Sequence, residues 1–317
     1  MPAVFLTIDT ELVWRHHVAG LPIATQFERS FEPAGVGISY QLEILRDFGL
    51  NACFFIDPMP AHVYGLAPIR RIVETILAAG QEVQLHLHPN WYGAMVGDQG
   101  RNHGPFELIG RSPDEQADFI AQARALLIEA GAPPPIAFRA GSYAADDATL
   151  AALAGLGFTY DSSHNGSMQP WPSRVGLAPA QVAPCRHAGV IELPVSLIEE
   201  RPGRLRTFQI CALSAAEMRA ALDHAVTADH AAVVIVSHGF ELANRAGTGA
   251  NAVHVRRFEA LCAMLAESGD SLATTRFDSR APLPLDRRDT PLPPSEARLR
   301  WRQVEQLWSN MVAEHAT

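Results

Sequence analysis

Cysteine is scarce in this chain and carries no pattern: Cys53, Cys185, Cys211 and Cys262 stand apart, without Cys-x-x-Cys spacing and mostly among apolar neighbours. That spacing excludes a disulfide framework and a thiolate metal site, and leaves reduced, buried thiols. Positive charge is also short, with 25 Lys+Arg against 34 Asp+Glu, a formal charge of -9 and a pI near 5.8. A nucleic-acid or anionic-membrane partner is therefore not expected, and the expected partner is small or neutral. No segment is apolar for the length of a membrane span, and the start Met1-Pro2-Ala3-Val4-Phe5 has no basic region ahead of an apolar run. The expectation is a cytosolic protein. Internal repeats and low-complexity runs are missing as well. What remains is a chain of 317 residues with 48% hydrophobic content, enough core for one large α/β domain or two smaller ones.

Strand and helix patterns alternate from the start, which favours a mostly parallel sheet with helices outside it. Strands are expected near 3–8, 51–56, 82–88, 136–139, 158–161, 191–195 and 232–237, with an eighth guessed at 271–275. Helical spacing or capping marks 38–48, 66–79, 113–130, 146–155, 215–228 and 252–267; the second of these stops at Gly80. Ser112-Pro113-Asp114-Glu115 has the form of a capping box with Pro at the first turn. Two long connections, 12–35 and 89–110, read as loops on one rim. The tail from 279 changes character: a proline-rich connector, then a helix opened by Ser295 whose Leu299, Trp301, Val304, Leu307, Trp308 and Met311 share a broad face. Two tryptophans on one helix should be buried, by packing back on the barrel or in a homodimer.

The chemistry gathers where apolar strands stop. In Glu82-Val83-Gln84-Leu85-His86-Leu87-His88-Pro89 the strand period of two sends His86 and His88 to one face and Val83, Leu85 and Leu87 to the other. Asp9 and Glu11 are likewise two apart at the end of the first strand. Two carboxylates and two imidazoles at two strand ends make a potential divalent-metal site. Arg139, Asp161 and His238 end three further strands, and catalytic groups of such barrels sit on that C-terminal rim. His62, His187, His224, His230 and His315 are scattered and read as solvated.

Taken in order, Asp9-x-Glu11, His86-x-His88, Phe138-Arg139-Ala140-Gly141-Ser142-Tyr143, Tyr160-Asp161-Ser162-Ser163 and Val236-Ser237-His238 resemble the five motifs of the polysaccharide deacetylases, carbohydrate esterase family four. The resemblance covers roughly 3–275. It implies a distorted (β/α) barrel of about seven strands over 1–278, with 279–317 as a connector and C-terminal helical extension. It also implies metal-dependent removal of acetyl groups from N-acetylated sugars. By resemblance Asp9 is the general base, Glu11, His86 and His88 are the metal triad, and Arg139 holds the base. The turn ending at Tyr143 offers a backbone N–H to the oxyanion, His238 is the general acid, and Asp161 orients or tunes it. The family pattern has Asp-Asp and His-x-x-x-His, with Pro after the arginine. Here Glu11 follows a one-residue insertion, Asn90 stands four after His86, and Gly141-Ser142 replaces the Pro, so that His88 or Asn90 completes the metal shell.

A divalent ion, zinc by its donor set, would polarise the acyl carbonyl and acidify water while acid and base act from opposite sides. Trp14, Trp91, Tyr92 and Trp171 lie in rim loops, either to stack on a sugar or to pack the loops. The cytosolic expectation favours a nucleotide- or lipid-linked sugar or an oligosaccharide precursor over an extracellular polymer. Two alternatives stand beside the deacetylase: an amidase or deformylase on a small non-sugar amide, and a non-catalytic carbohydrate-binding barrel.

Overall fold

The computed structural model describes residues 1–279, 282–309 and 311. His315 lies outside the described residues. Ten strands are described: β1 (Ala3–Thr10), β2 (Cys53–Ile56), β3 (Glu82–Leu87), β4 (Ala137–Ala140), β5 (Tyr160–Asp161), β6 (Cys185–His187), β7 (Val190–Glu192), β8 (Leu197–Arg201), β9 (Arg204–Thr207) and β10 (Ala232–His238). Eight form one curled sheet in the order β10-β1-β2-β3-β4-β5-β7-β6, while β8 and β9 pair as a separate hairpin. All pairings in the large sheet are parallel except β6 with β7. The sheet is an open half-barrel that gathers the C-terminal ends of its parallel strands on one rim.

The helices are α1 (Trp14–Val18), α2 (Ile23–Phe31), α3 (Ile38–Asp47), α4 (Ala61–Tyr64), α5 (Ala67–Ala78), α6 (Pro113–Glu129), α7 (Asp147–Gly155), α8 (Ala215–Thr227), α9 (Ala252–Ser268) and α10 (Glu296–Trp308). The expected box at Ser112 is formed: its hydroxyl accepts from Glu115 N and the Glu115 carboxylate accepts from Ser112 N at 2.9 Å. From there Gln116, Ile120, Ala123 and Leu127 run down the buried stripe of α6. Ile120 and Leu127 are fully buried, and each contributes about 2 kcal/mol of apolar burial.

The period of two sorts the sheet into two faces. Val4, Leu6 and Ile8 of β1, with Val83, Leu85 and Leu87 of β3, join the core beneath the helices. The concave face begins apolar, with Phe5, Cys53, Phe55, Ala137 and Val234 around Phe277. Toward the rim the same face turns polar, carrying the buried residues Thr7, Asp9, His86 and Arg139. A buried polar group needs partners, and this one column supplies them to itself.

Three expectations are corrected. The connection 12–35 is not a loop: it holds α1 and α2, and the apolar Phe27 and Phe31 of α2 are buried in the core. The guessed eighth strand is a 3-10 turn, Gly269–Leu272, followed by a single bridge between Thr274 and Val4. The tryptophans of α10 do not pack back on the barrel: Trp301 and Trp308 are each 57% exposed on the single chain, and Leu299 and Arg302 make the buried contact. The helix docks through charge, with Arg302 on Glu200 and Glu217 at 3.0 Å and Arg257 on Glu305 at 2.9 Å. No helix among the described residues is long and apolar enough to cross a membrane.

Candidate metal centre and active site

The ends of β1 and β3 bring Glu11, His86 and His88 together, with one ligand atom from each within 4.8 Å of the others. His88 Nε2 lies 2.5 Å and His86 Nε2 3.8 Å from Glu11 Oε2. His86 Nδ1 is 2.8 Å from the Arg139 carbonyl oxygen. A carbonyl only accepts, so Nδ1 carries the proton and Nε2 presents its lone pair. Burial holds His86 down at about 4. Burial also opposes the charged form of His88, but Glu11 outweighs it and holds that imidazole up at about 9, while Glu11 itself falls to about 2.

Two acids that the motif reading passed over stand behind His88. Asp57, immediately after β2, is fully buried; its Oδ1 accepts from Met59 N at 3.0 Å and its Oδ2 has no hydrogen-bond partner. Burial lifts its carboxyl to about 7. Glu107, from the 89–110 connection, leaves a buried Oε2 without a partner, and burial raises it too. Surplus buried acceptors beside two imidazoles and a carboxylate fit a hard or borderline divalent cation. Asp57 carried the same signal as Asp9, an acid where an apolar strand stops.

Gly141 settles how the unusual spacing is accommodated. A Cβ there would fall 2.4 Å from His88 Cε1 and Nδ1, so the imidazole occupies the room of a side chain. Of the two candidates for the second imidazole's role, His88 stands against Glu11. Asn90 is buried with Oδ1 unpartnered and its carbonyl on Gly104 N at 3.1 Å.

Asp9 sits between this cluster and His238. Arg139, itself fully buried, donates from Nη1 to Asp9 Oδ1 at 2.7 Å and to Thr7 Oγ1 at 2.8 Å. Its Nε and Nη2 reach the Ser162 carbonyl at 3.1 Å and the Ser162 hydroxyl at 3.0 Å. The guanidinium also lies 4.5 Å over the Phe55 ring. With each edge occupied, Arg139 has one place to be and Asp9 is held with it.

His238 Nε2 faces Asp9 Oδ2 at 3.9 Å. Asp161, expected to tune this histidine, does not meet it. Asp161 accepts from Ser163 Oγ at 2.7 Å and Ser163 N at 3.1 Å and hydrogen-bonds the Glu192 carboxyl. Burial raises both acids, and the Asp161 charge adds to the rise at Glu192. The carboxylate on His238 is Glu241, three residues further on, with Oε2 3.8 Å from Nδ1 and 3.1 Å from the His238 backbone N. Gln209 Nε2 donates to Glu241 Oε1 at 2.7 Å and lies 3.4 Å from His238 Nδ1. Burial opposes the charge on His238, yet Glu241 and Asp9 outweigh it and raise the imidazole to about 9. Glu241 falls to about 2. An acid three after the last motif histidine was the available signal.

The Gly141–Tyr143 turn after β4 carries consecutive positive φ values, 56° at Ser142 and 58° at Tyr143. Such strain in non-glycine residues persists only where the surroundings hold it, and it concentrates at working sites. The Tyr143 hydroxyl is buried without a partner, and burial followed by the Asp9 charge keeps it a phenol. Of the rim aromatics, Trp91 is buried against Trp14 at 4.8 Å and serves loop packing, whereas Trp171 and Tyr92 are exposed.

No protein-family model matches this chain, and no curated protein matches it. Among solved structures, a candidate polysaccharide deacetylase from Mycobacterium smegmatis matches 90% of this chain and 94% of its own, at 21% identity and TM-score 0.55. The fold is that of the polysaccharide deacetylases. The PuuE allantoinase covers 87% of each chain at 13% identity and TM-score 0.53. A family 4 carbohydrate esterase from Streptomyces lividans, solved with acetate, covers 87% of this chain and 93% of its own at 15% identity and TM-score 0.41. The polysaccharide-deacetylase fold accounts for the rim on which all the groups above converge.

Proposed function

We propose that this chain is a metal-dependent hydrolase that removes the acetyl group from an acetamido sugar, with Asp9 as base and His238 as acid. The observation that carries the reading is the position of Asp9: Oδ1 is fixed by Arg139 at 2.7 Å, Oδ2 faces His238 Nε2 at 3.9 Å, and the Glu11, His86, His88 cluster begins two residues away. Glu11, His86 and His88 would hold a divalent ion, zinc by donor type, which when bound supplies Lewis acidity toward the acyl carbonyl and a lowered water pKa.

The residues supply the rest. Asp9 takes a proton from the attacking water, and Arg139 keeps it aimed. The strained turn at Ser142 and Tyr143 offers donors to the oxyanion that forms as the acyl carbon becomes tetrahedral. An amine leaves only once protonated, so His238 delivers its Nε2 proton to the departing nitrogen as the C–N bond breaks. Glu241 keeps the imidazole charged and oriented until then. Acetate and an amino sugar are the products.

A second reading has support in the likeness to an allantoinase, whose name gives a cyclic amide as its substrate. Release of acetate from a panel of acetamido sugars, beside ring opening of allantoin and other small cyclic amides, separates the two. Acetate release abolished in Asp9→Asn supports the deacetylase. Ring opening alone transfers the same machinery to a cyclic amide, and neither activity in metal-loaded protein leaves a carbohydrate-binding barrel.

A further inference from the structure

The helix α10 is amphipathic with its polar stripe turned inward. Arg302 pairs with Glu200 and Glu217, Glu305 receives Arg257 at 2.9 Å, and Ser309 Oγ accepts from Asn251 Nδ2 at 3.0 Å, with Leu299 as the buried apolar contact. The outward stripe is Trp301, Val304, Leu307 and Trp308, with Met311 just beyond the helix, each between 57% and 64% exposed. Their spacing of three, four and seven residues makes one continuous ridge, and a surface helix ordinarily turns such a ridge to the core. Together the five side chains expose roughly 600 Å² of apolar surface, the upper end of the largest patch on an ordinary monomer.

A groove runs beside this ridge. Helices α3, α9 and α10 bound a cavity of about 910 Å³ lined by Ile44, Phe48, Ala260, Ala263, Val304 and Trp308, so two ridge residues are also groove wall. The ridge is held in advance: Trp301 Nε1 donates to Glu305 Oε1 at 2.8 Å, and Glu305 is itself fixed by Arg257 of α9. A tryptophan fastened in its outward position loses little freedom on contact and suits an interface anchor.

Three occupants compete for this face. Residues 312–317 supply only Val312, Ala313 and Ala316 as apolar side chains, too little to cover it. A lipid surface would want cationic side chains on the polar stripe facing the headgroups, whereas here that stripe is docked on the protein and the chain carries a formal charge of -9. A second copy fits. With ridge and groove on one face, a two-fold axis sets each ridge against the other copy's groove. The two ridges alone would bury about 1,200 Å², where specific interfaces begin.

We infer that the α10 ridge and the groove between α3 and α9 form the two-fold interface of a homodimer. Sedimentation velocity of the full chain, over about 1–100 μM, is measured for wild type, Trp308→Glu, Ala260→Trp and Trp171→Glu. The expected wild-type mass is twice the 34.4 kDa of one chain. Trp308→Glu removes an anchor from both copies, and Ala260→Trp fills the groove without altering α10. Each should weaken the dimer at least about 100-fold, as loss of a central anchor does, with circular dichroism unchanged; if one variant misfolds, the other decides. Trp171, 61% exposed in a rim loop, is the control, and Trp171→Glu should leave the mass at twice that of one chain. Wild type that sediments as a single chain throughout would overturn the inference, and its flotation with phosphatidylcholine vesicles would give the face to a membrane instead. A dimer that survives both Trp308→Glu and Ala260→Trp, or that Trp171→Glu breaks as readily, would overturn it as well.

Discussion

Two histidine–carboxylate pairs flank Asp9, and in both the carboxylate lifts the imidazole to about 9, yet they are built for different work. Around His88 the acids outnumber their donors: Glu11 is shared with His86, and Asp57 Oδ2 and Glu107 Oε2 are buried without partners. On the Nδ1 side of His238 the acid is satisfied, since Glu241 receives Gln209 Nε2, Cys211 N and His238 N. A surplus of buried acceptors attracts a cation from outside, whereas a satisfied carboxylate fixes the proton already on its partner. The shared shift therefore says little about role, and the hydrogen-bond inventory around each acid decides it.

The contrast breaks most visibly at Asp9 and His86. Asp9→Asn should lower kcat by about 10²–10⁴-fold, the span of a positioned general base, with bound metal kept. His86→Ala should lose the metal together with activity. Elemental analysis beside the rate assay reads both, and equal metal loss in the two variants would refute the division between flanks.

A narrower break is available at Gly141. Adding a methyl group 2.4 Å from two His88 ring atoms must displace the imidazole. Gly141→Ala should weaken metal affinity about 10- to 100-fold, as misorienting a ligand does, with circular dichroism unchanged. Competition against a chelator measures it. Unaltered affinity would mean His88 is not a ligand.

The acid flank is sharpened by pH. His238 must hold its proton to act, and a pKa raised to about 9 means the protonated form is present below that pH and lost above it. The alkaline limb of kcat/KM should therefore fall near pH 9. Removing the charge in Glu241→Gln should move that limb down toward the ordinary 6.5 while metal content stays constant. A limb that stays in place would assign it to another group.

Much of this was legible in the sequence because strand periodicity acts locally. His86, His88, Asp9, Arg139 and His238 all lie on the rim where their alternating strands end. Asp57 was equally legible but ends the short, wholly apolar run of β2, which reads as buried core rather than as part of a site. Glu241 was legible only as an acid three residues after His238, in the turn that follows the strand. Gln209 was not, since it comes from the segment after the β8–β9 hairpin and meets His238 only through tertiary folding. The acid that the motif reading gave to His238, Asp161, ends β5, which does not pair with β10, and its side chain turns to Ser163 and Glu192. In α10 a broad apolar face suggested burial, but Arg302 and Glu305 dock the helix by charge and leave Trp301 and Trp308 outward.

Metal content is the most direct measurement, made on wild type, His88→Ala and Asn90→Ala after loading with zinc and gel filtration. The account predicts about one ion per chain in wild type and in Asn90→Ala, and none in His88→Ala, because His88 rather than Asn90 stands against Glu11. An ion retained without His88, or no ion in any of the three proteins, would contradict it.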